Sequence, residues 1–371
     1  MRTLIIPVLL LGTLACTTTR NPESAPPEKP QNIIFLIGDG MGLSAVSASL
    51  YDGDETFVYD LFSYVGLSKT HSTSHKVTDS AASGTAMATG QKTCNGVIGV
   101  DTLKRPIPNI TEVISPFGWS TGLVATSTIT HATPASFYAH VESRRMEEEI
   151  ALQLIDSEID FFAGGGLERF YGRNDTLKLL EAAAENGFTV DTSGLKEPGS
   201  LERGKKYGFL LAGGAMPPVA RGGRDFLPEA TTLAIEQLSK DKKRFFLMVE
   251  GSQIDWAAHD NNTEYLQEEL HDFEKAIAVA MDFAERDGNT LVLVTSDHET
   301  GGVTLSAEYD DSEGHSKTSE VSITYATRGH SATMVPVFAY GPGAEEFAGV
   351  YENSAIFHKM VQLVTGKKQQ E

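Results

Sequence analysis

Cysteine is scarce in this chain, two residues in 371, so a disulfide framework is excluded. Positive charge is also short. Lysine and arginine number 30 against 50 acids, a net charge of −20 and a pI near 4.9. A surface of that sign repels nucleic acid and anionic membranes unless positive charge is gathered locally, so specific nucleic-acid binding is not expected. There is no internal repeat and no second linker. The apolar run at residues 4–12, LIIPVLLLG, is too short to stay in a bilayer as a spanning helix. No Gly-x-Ser-x-Gly elbow surrounds any candidate nucleophile. What remains is ordinary: 40% hydrophobic and 22% charged residues describe a globular protein, not a disordered or fibrous one.

The N-terminus reads as an export signal. Met1-Arg2 is a weakly positive start, followed by the short apolar run and then Thr13-Leu14-Ala15-Cys16. The Ala-Cys junction resembles a bacterial lipoprotein cleavage site, which would place a lipid anchor on Cys16. Thr13 departs from the Leu usual at its position, and Thr13 with Ala15 also fits ordinary signal cleavage. Residues 17–31, TTTRNPESAPPEKPQ, are polar and proline-rich and suit an extended tether. The expected organisation is a signal peptide over 1–15, a tether over 16–31 and one folded domain over 32–371. The expected location is the periplasm, free or anchored to the membrane.

Apolar runs rich in β-branched residues recur at 32–37, 121–125, 159–163, 207–211, 244–249, 290–295 and 335–340. Such runs suit strands buried on both faces. Helical patterns fall between them at 134–157, 175–186, 228–239, 264–287 and 353–365. The alternation predicts one large α/β domain with a mainly parallel sheet flanked by helices. Residues 307–328 read as an exposed excursion, a hairpin being one form of it.

Ligands of open α/β sheets bind outside the carboxyl ends of the strands. Asp39 follows the first run. Glu250, Asp255 and His259 follow the run at 244–249. Asp297 and His298 follow the run at 290–295, and His330 precedes the last one. One Asp after a strand is usually a turn former or helix cap; several strand ends bearing Asp, Glu or His together point to a metal centre. Asp255 and His259, four apart, share one helix face. His and Asp donors with no thiolate suit a catalytic zinc site more than a structural one. Ser80, in VTDSAASGTAMATG (77–90), is the candidate nucleophile. It stands at the start of a small-residue helix whose N–H groups favour an anion. A serine hydroxyl needs a base or a metal to react near neutrality, and a metal is the economical choice here.

The blocks IGDGMG (37–42), TDSAASGTAMATG (78–90), THATPASFYAHVESR (130–144), VEGSQIDWAAH (249–259), TSDHETGG (295–302) and GHSATMVPVFAYGPG (329–343) resemble the metal-dependent alkaline phosphatases. They run in family order and together cover residues 32–365. The resemblance implies two zinc ions and one magnesium ion. Asp255, His259 and His330 would hold the first zinc, and Asp39, Asp297 and His298 the second, where Ser80 also binds. Asp39, Thr133 and Glu250 would hold magnesium. Arg144 would grip the phosphate, beside Asp79.

His131 stands near the third ion where some relatives carry Asp, and is expected to orient a water or to bind the substrate phosphate through one. Trp256 stands where others carry Lys or His, and is either a pocket wall or a phosphate contact. The implied activity is hydrolysis of phosphate monoesters through a phosphoserine on Ser80. A phosphodiesterase or related hydrolase of the same superfamily is the rival reading, disfavoured by Thr133 and Glu250. Relatives are commonly homodimers, which this sequence alone does not decide.

Overall fold

The structure is a computed structural model that describes residues 29–51, 57–173, 175–221, 224–240, 244–310 and 315–366. The expected signal peptide, Cys16 and nearly all of the tether lie outside the described residues. No helix among those described is long and apolar enough to cross a membrane.

Fourteen strands are described: β1 (Asn32–Gly38), β2 (Tyr64–Lys69), β3 (Trp119–Thr128), β4 (Phe161–Gly165), β5 (Phe188–Asp191), β6 (Lys206–Leu210), β7 (Arg244–Gly251), β8 (Thr290–Thr295), β9 (Glu299–Thr300), β10 (Val303–Asp310), β11 (His315–Tyr325), β12 (His330–Ser331), β13 (Val335–Tyr340) and β14 (Gly349–Glu352). Ten of them form one sheet, in the order β14-β2-β13-β8-β1-β7-β3-β4-β6-β5. From β8 through β5 every pairing is parallel. The antiparallel member is β13, against both β8 and β2. The mainly parallel α/β domain expected from the sequence is therefore the fold observed.

β1 shows why. All seven of its residues are buried. Ile33, Phe35 and Ile37 belong to one apolar cluster, with residues of the helices Ser80–Thr89 and Ser354–Thr365. Ile34 and Leu36 belong to another, with residues of the helices Phe226–Ser239 and Thr263–Asp287. Alternate side chains feed two cores, one on each face, so a continuous apolar run is required.

Three local expectations need correction. The pattern at 134–157 is not one helix: it gives Ala132–Ala135 and Glu147–Ile155 with irregular chain between them. Part of the backbone between them bonds to another segment. Val141 and Ile98 exchange hydrogen bonds of 2.8 and 3.0 Å, and the Arg144 N–H donates to Gly96 at 2.8 Å. That detour delivers Arg144 to the strand ends. The pattern at 175–186 gives a shorter helix, Leu179–Glu185, and the strand read at 159–163 begins at Phe161. The excursion near 307–328 is a hairpin, β10 paired antiparallel with β11.

The central register positions the site. Ile37 pairs with Glu250 on one side and with Thr295 on the other. Asp39, Glu250 and Asp297 thus leave the same edge of three adjacent parallel strands.

Candidate active site and metal centre

Ser80 opens the helix Ser80–Thr89. Asp79 is its N-cap, accepting from the Ala82 N–H through Oδ1. The helix is buried along its whole length, which its Ala, Gly, Ser and Thr side chains permit. Ser83 Oγ donates to the Asp297 carbonyl at 2.7 Å and locks the helix to the end of β8. Ser80 Oγ then lies 3.3 Å from His298 Nε2 and 3.5 Å from Asp39 Oδ2.

Around Ser80 the predicted ligands assemble. His298 Nε2 is 3.1 Å from Asp297 Oδ2 and 3.4 Å from Asp39 Oδ1. Asp297 Oδ1 accepts from the N–H groups of Gly40 and His298. His259, on the helix Gln253–Asp260, has Nε2 3.4 Å from Asp255 Oδ2 and 3.2 Å from His330 Nε2. The His330 ring stacks on that of His298 with centroids 3.6 Å apart. The distal nitrogens of the two outer rings are tied to backbone carbonyls, His259 Nδ1 to Arg328 at 2.5 Å and His330 Nδ1 to Thr78 at 2.9 Å. Such contacts fix the tautomer of a ligating histidine and aim its other nitrogen.

Three groups of donors have atoms within 4.8 Å of one another: Asp39, Asp297 and His298; Asp255, His298 and His330; and Asp39, His131 and Glu250. The orphaned atoms say what these groups lack. Asp39 Oδ1, Asp297 Oδ2, Glu250 Oε1 and Thr133 Oγ1 are buried without a hydrogen-bond partner. Buried oxygens in that condition are costly unless something positive lies between them. Adjacent carboxylates and imidazoles with facing lone pairs fit divalent cations, the oxygen-rich Asp39–Glu250–Thr133 side suiting a harder ion.

Electrostatics agree. Burial pushes the Asp39 carboxyl well above the ordinary range, and Asp297, Asp255 and Glu250 add to the effect. Glu250 is pushed up to about 7, by burial first. Burial also acts on Asp297 and Asp255, but the histidines beside them prevail and both sit below the usual value. The hydrogen bond to Asp255 lifts His259 to about 9. The chain alone crowds four acids with too little positive charge, and a cation resolves that conflict.

Arg144 approaches from the other side. Nη1 lies 3.3 Å from Asp79 Oδ2, and Nη2 donates to His131 Nε2 at 3.0 Å. Asp79 Oδ2 also accepts from the Gly96 N–H. Burial, then Arg144, lowers the His131 pKa to about 4, so this ring is neutral and its Nε2 can accept. Trp256 meets the His131 ring edge-on, centroids 6.0 Å apart. All thirteen residues singled out from the sequence thus fall in one cluster or directly beside it.

Of the remaining histidines, His140 is bound to Gly99 and Glu112, His358 to Gly90, and His71 to Glu352, away from the cluster. Sequence reasoning missed Ser252, which donates to Glu250 Oε2 at 2.6 Å, and Thr300, which donates to Asp255 Oδ1 at 2.5 Å. Both lie inside the motif blocks, but a Ser or Thr in a turn looks like a cap until its partner is seen.

Fold and site together define a metal-dependent hydrolase with its centre at the carboxyl edge of a doubly covered sheet. The family model described as alkaline phosphatase matches residues 30–320 and 302–365. The chain belongs to the alkaline phosphatase family of enzymes. It is 33% identical to alkaline phosphatase 4 of Bacillus subtilis, over 94% of this chain and 93% of that one. It is 30% identical to alkaline phosphatase of Escherichia coli, over 90% and 86%. Among solved structures, alkaline phosphatase from the Antarctic bacterium TAB5 is 50% identical with a TM-score of 0.89, covering 93% of this chain and 100% of that one. A variant of that enzyme is described with magnesium in a site termed M3.

Proposed function

We propose that this protein hydrolyses phosphate monoesters by way of a phosphoserine on Ser80, with two zinc ions and one magnesium ion. The observation that carries the reading is the position of Ser80 Oγ. It stands at a helix N-terminus within 3.5 Å of Asp39 and 3.3 Å of His298, among oxygens that lack partners. Asp255, His259 and His330 would hold one zinc, Asp39, Asp297 and His298 the other, and Asp39, Thr133 and Glu250 the magnesium. Bound there, the cations would neutralise the carboxylates and the charge gathering on the phosphoryl oxygens, and render serine and water acidic enough to react.

The chain's own groups do the rest. The guanidinium of Arg144, held by Asp79, offers a planar fork to two phosphoryl oxygens. N–H groups of the first helical turn add to the attraction for an anion. The Ser80 oxygen forms a bond to phosphorus as the ester oxygen departs in line. Water then cleaves the Ser80 phosphate and returns the serine. Neutral His131 accepts from Arg144 and keeps the fork aimed.

Monoesters are the expected substrates because Arg144 addresses phosphoryl oxygens that a diester would replace with an uncharged substituent. The metal-supplemented enzyme should hydrolyse p-nitrophenyl phosphate far faster than its bis-ester. A bis-ester hydrolysed faster than the monoester would transfer the assignment to a diesterase. We also propose export to the periplasm, with residues 1–15 as signal and Cys16 as anchor, and a catalytic domain beginning at residue 32.

A further inference from the structure

We propose that Thr300 is a positioning residue that couples the two candidate zinc sites through one hydroxyl. The inference rests on Asp255 and His298 being metal ligands, one in each site. Thr300 Oγ1 lies 2.5 Å from Asp255 Oδ1 and 3.2 Å from His298 Nδ1. An ionised carboxylate can only accept, so the single hydroxyl proton goes to Asp255. At His298 the hydroxyl oxygen must therefore accept, and Nδ1 must carry the ring proton. That leaves the lone pair on Nε2, the nitrogen that faces Ser80, Asp39 and Asp297. One short chain, His298 Nδ1–H to Thr300 O–H to Asp255 Oδ1, sets the tautomer of a ligand in one site and the carboxylate orientation in the other.

The backbone is built around this contact. The Thr300 N–H donates to the Gly40 carbonyl at 3.0 Å, and Thr300 pairs with His330 between β9 and β12. Thr300 is fully buried. Gly40 has φ of +69°, and a Cβ there would stand 2.7 Å from Thr300 Oγ1 and 2.9 Å from Asp255 Oδ1. The second glycine of IGDGMG therefore both supplies a left-handed turn and leaves room for the hydroxyl–carboxylate pair. Thr300 thus touches segments carrying Asp39, Asp255, His298 and His330.

The test compares the wild type with Thr300→Val, which keeps the shape and removes the hydroxyl, and Thr300→Ser, which keeps the hydroxyl. Zinc is titrated into each metal-depleted chain in competition with a chromophoric chelator, and the melting temperature of each metal-depleted chain is recorded. Thr300→Val should weaken zinc at both sites by about 10–100-fold, the usual effect of losing a group that orients a ligand. Thr300→Ser should restore wild-type binding, and the metal-free melting temperatures should agree. Equal zinc affinity in Thr300→Val and wild type, or weakening confined to one site, overturns the coupling. A wild type that binds no zinc overturns the metal reading itself, and the coupling with it. A measurement that needs no variant is the ring-¹⁵N spectrum of the zinc-loaded protein. His298 should carry hydrogen on Nδ1, and a bare Nδ1 would refute the proposal.

Discussion

At the residue scale, variants of Arg144 and Asp297 test the proposed substrate grip apart from the proposed metal retention. Arg144 reaches the site from outside the carboxylate cluster, anchored by Asp79 and His131. Replacing it with Ala should weaken phosphate binding and lower kcat/KM by roughly 10–1000-fold, on the order of 1.4–4 kcal/mol. Turnover should persist, and bound zinc measured by elemental analysis should not change. Asp297 meets His298, Gly40 and the Asp39 cluster at once. Asp297→Ala should lose zinc and fall well below Arg144→Ala in rate. Equal losses in the two variants, with metal retained in both, would show that the cations are not central to the chemistry.

At the scale of elements, Asp79 joins the helix that Ser80 opens to Arg144, the proposed nucleophile to the proposed phosphate grip. One oxygen caps the helix at Ala82; the other holds Arg144 and the Gly96 N–H. Asp79→Ala should cost about 1 kcal/mol as a lost cap, read by thermal unfolding. It should also raise KM more than it lowers kcat, because Arg144 loses its anchor. An unchanged KM would separate Asp79 from substrate binding.

What the sequence displayed of these elements follows from burial. β1, β7 and β8 are covered on both faces, so each shows as an unbroken apolar run. β2 is partly exposed, with Tyr64 and Val65 open to solvent, and β5 and β14 are four-residue edge strands, too short to show a period. The chain from Phe137 to Met146 carries a helical pattern, but Val141 and Arg144 make their backbone bonds with Ile98 and Gly96. Pattern cannot reveal a partner forty residues away. The candidate site was legible because its Asp, Glu and His donors cluster at strand ends, in motif blocks. The hydroxyls of Ser252 and Thr300 did not, since their significance lies wholly in which atom they face.

At the scale of the whole molecule, acids outnumber bases by 20, and some of that excess is buried away from the site. Arg224 meets Glu269 at 2.5 Å and Asp272 at 3.0 Å, all three largely buried. One cation cannot serve two carboxylates fully. Burial pushes Asp272 up to about 6 against an ordinary 3.8, with Arg224 opposing and Glu269 adding. A carboxyl whose pKa is raised by folding binds its proton better in the folded state. Its contribution to stability is therefore fully present below about 3.8, is lost as pH rises from there through about 6, and changes no further above that. Asp272→Asn removes this dependence. Its stability relative to the wild type should improve by on the order of 2–3 kcal/mol between pH 4 and pH 8, measured by denaturant unfolding. A difference that does not vary with pH would place the strain elsewhere.

The central claim is that Ser80 carries the phosphoryl group between substrate and water. It is tested by incubating the metal-loaded protein with labelled inorganic phosphate at acidic pH, quenching, and mapping the label to a peptide. Acid-stable phosphoserine should form at Ser80 and be absent from Ser80→Ala, which should keep its metals and lose most of its activity. Label at another residue, or label persisting at full stoichiometry in Ser80→Ala, would contradict it.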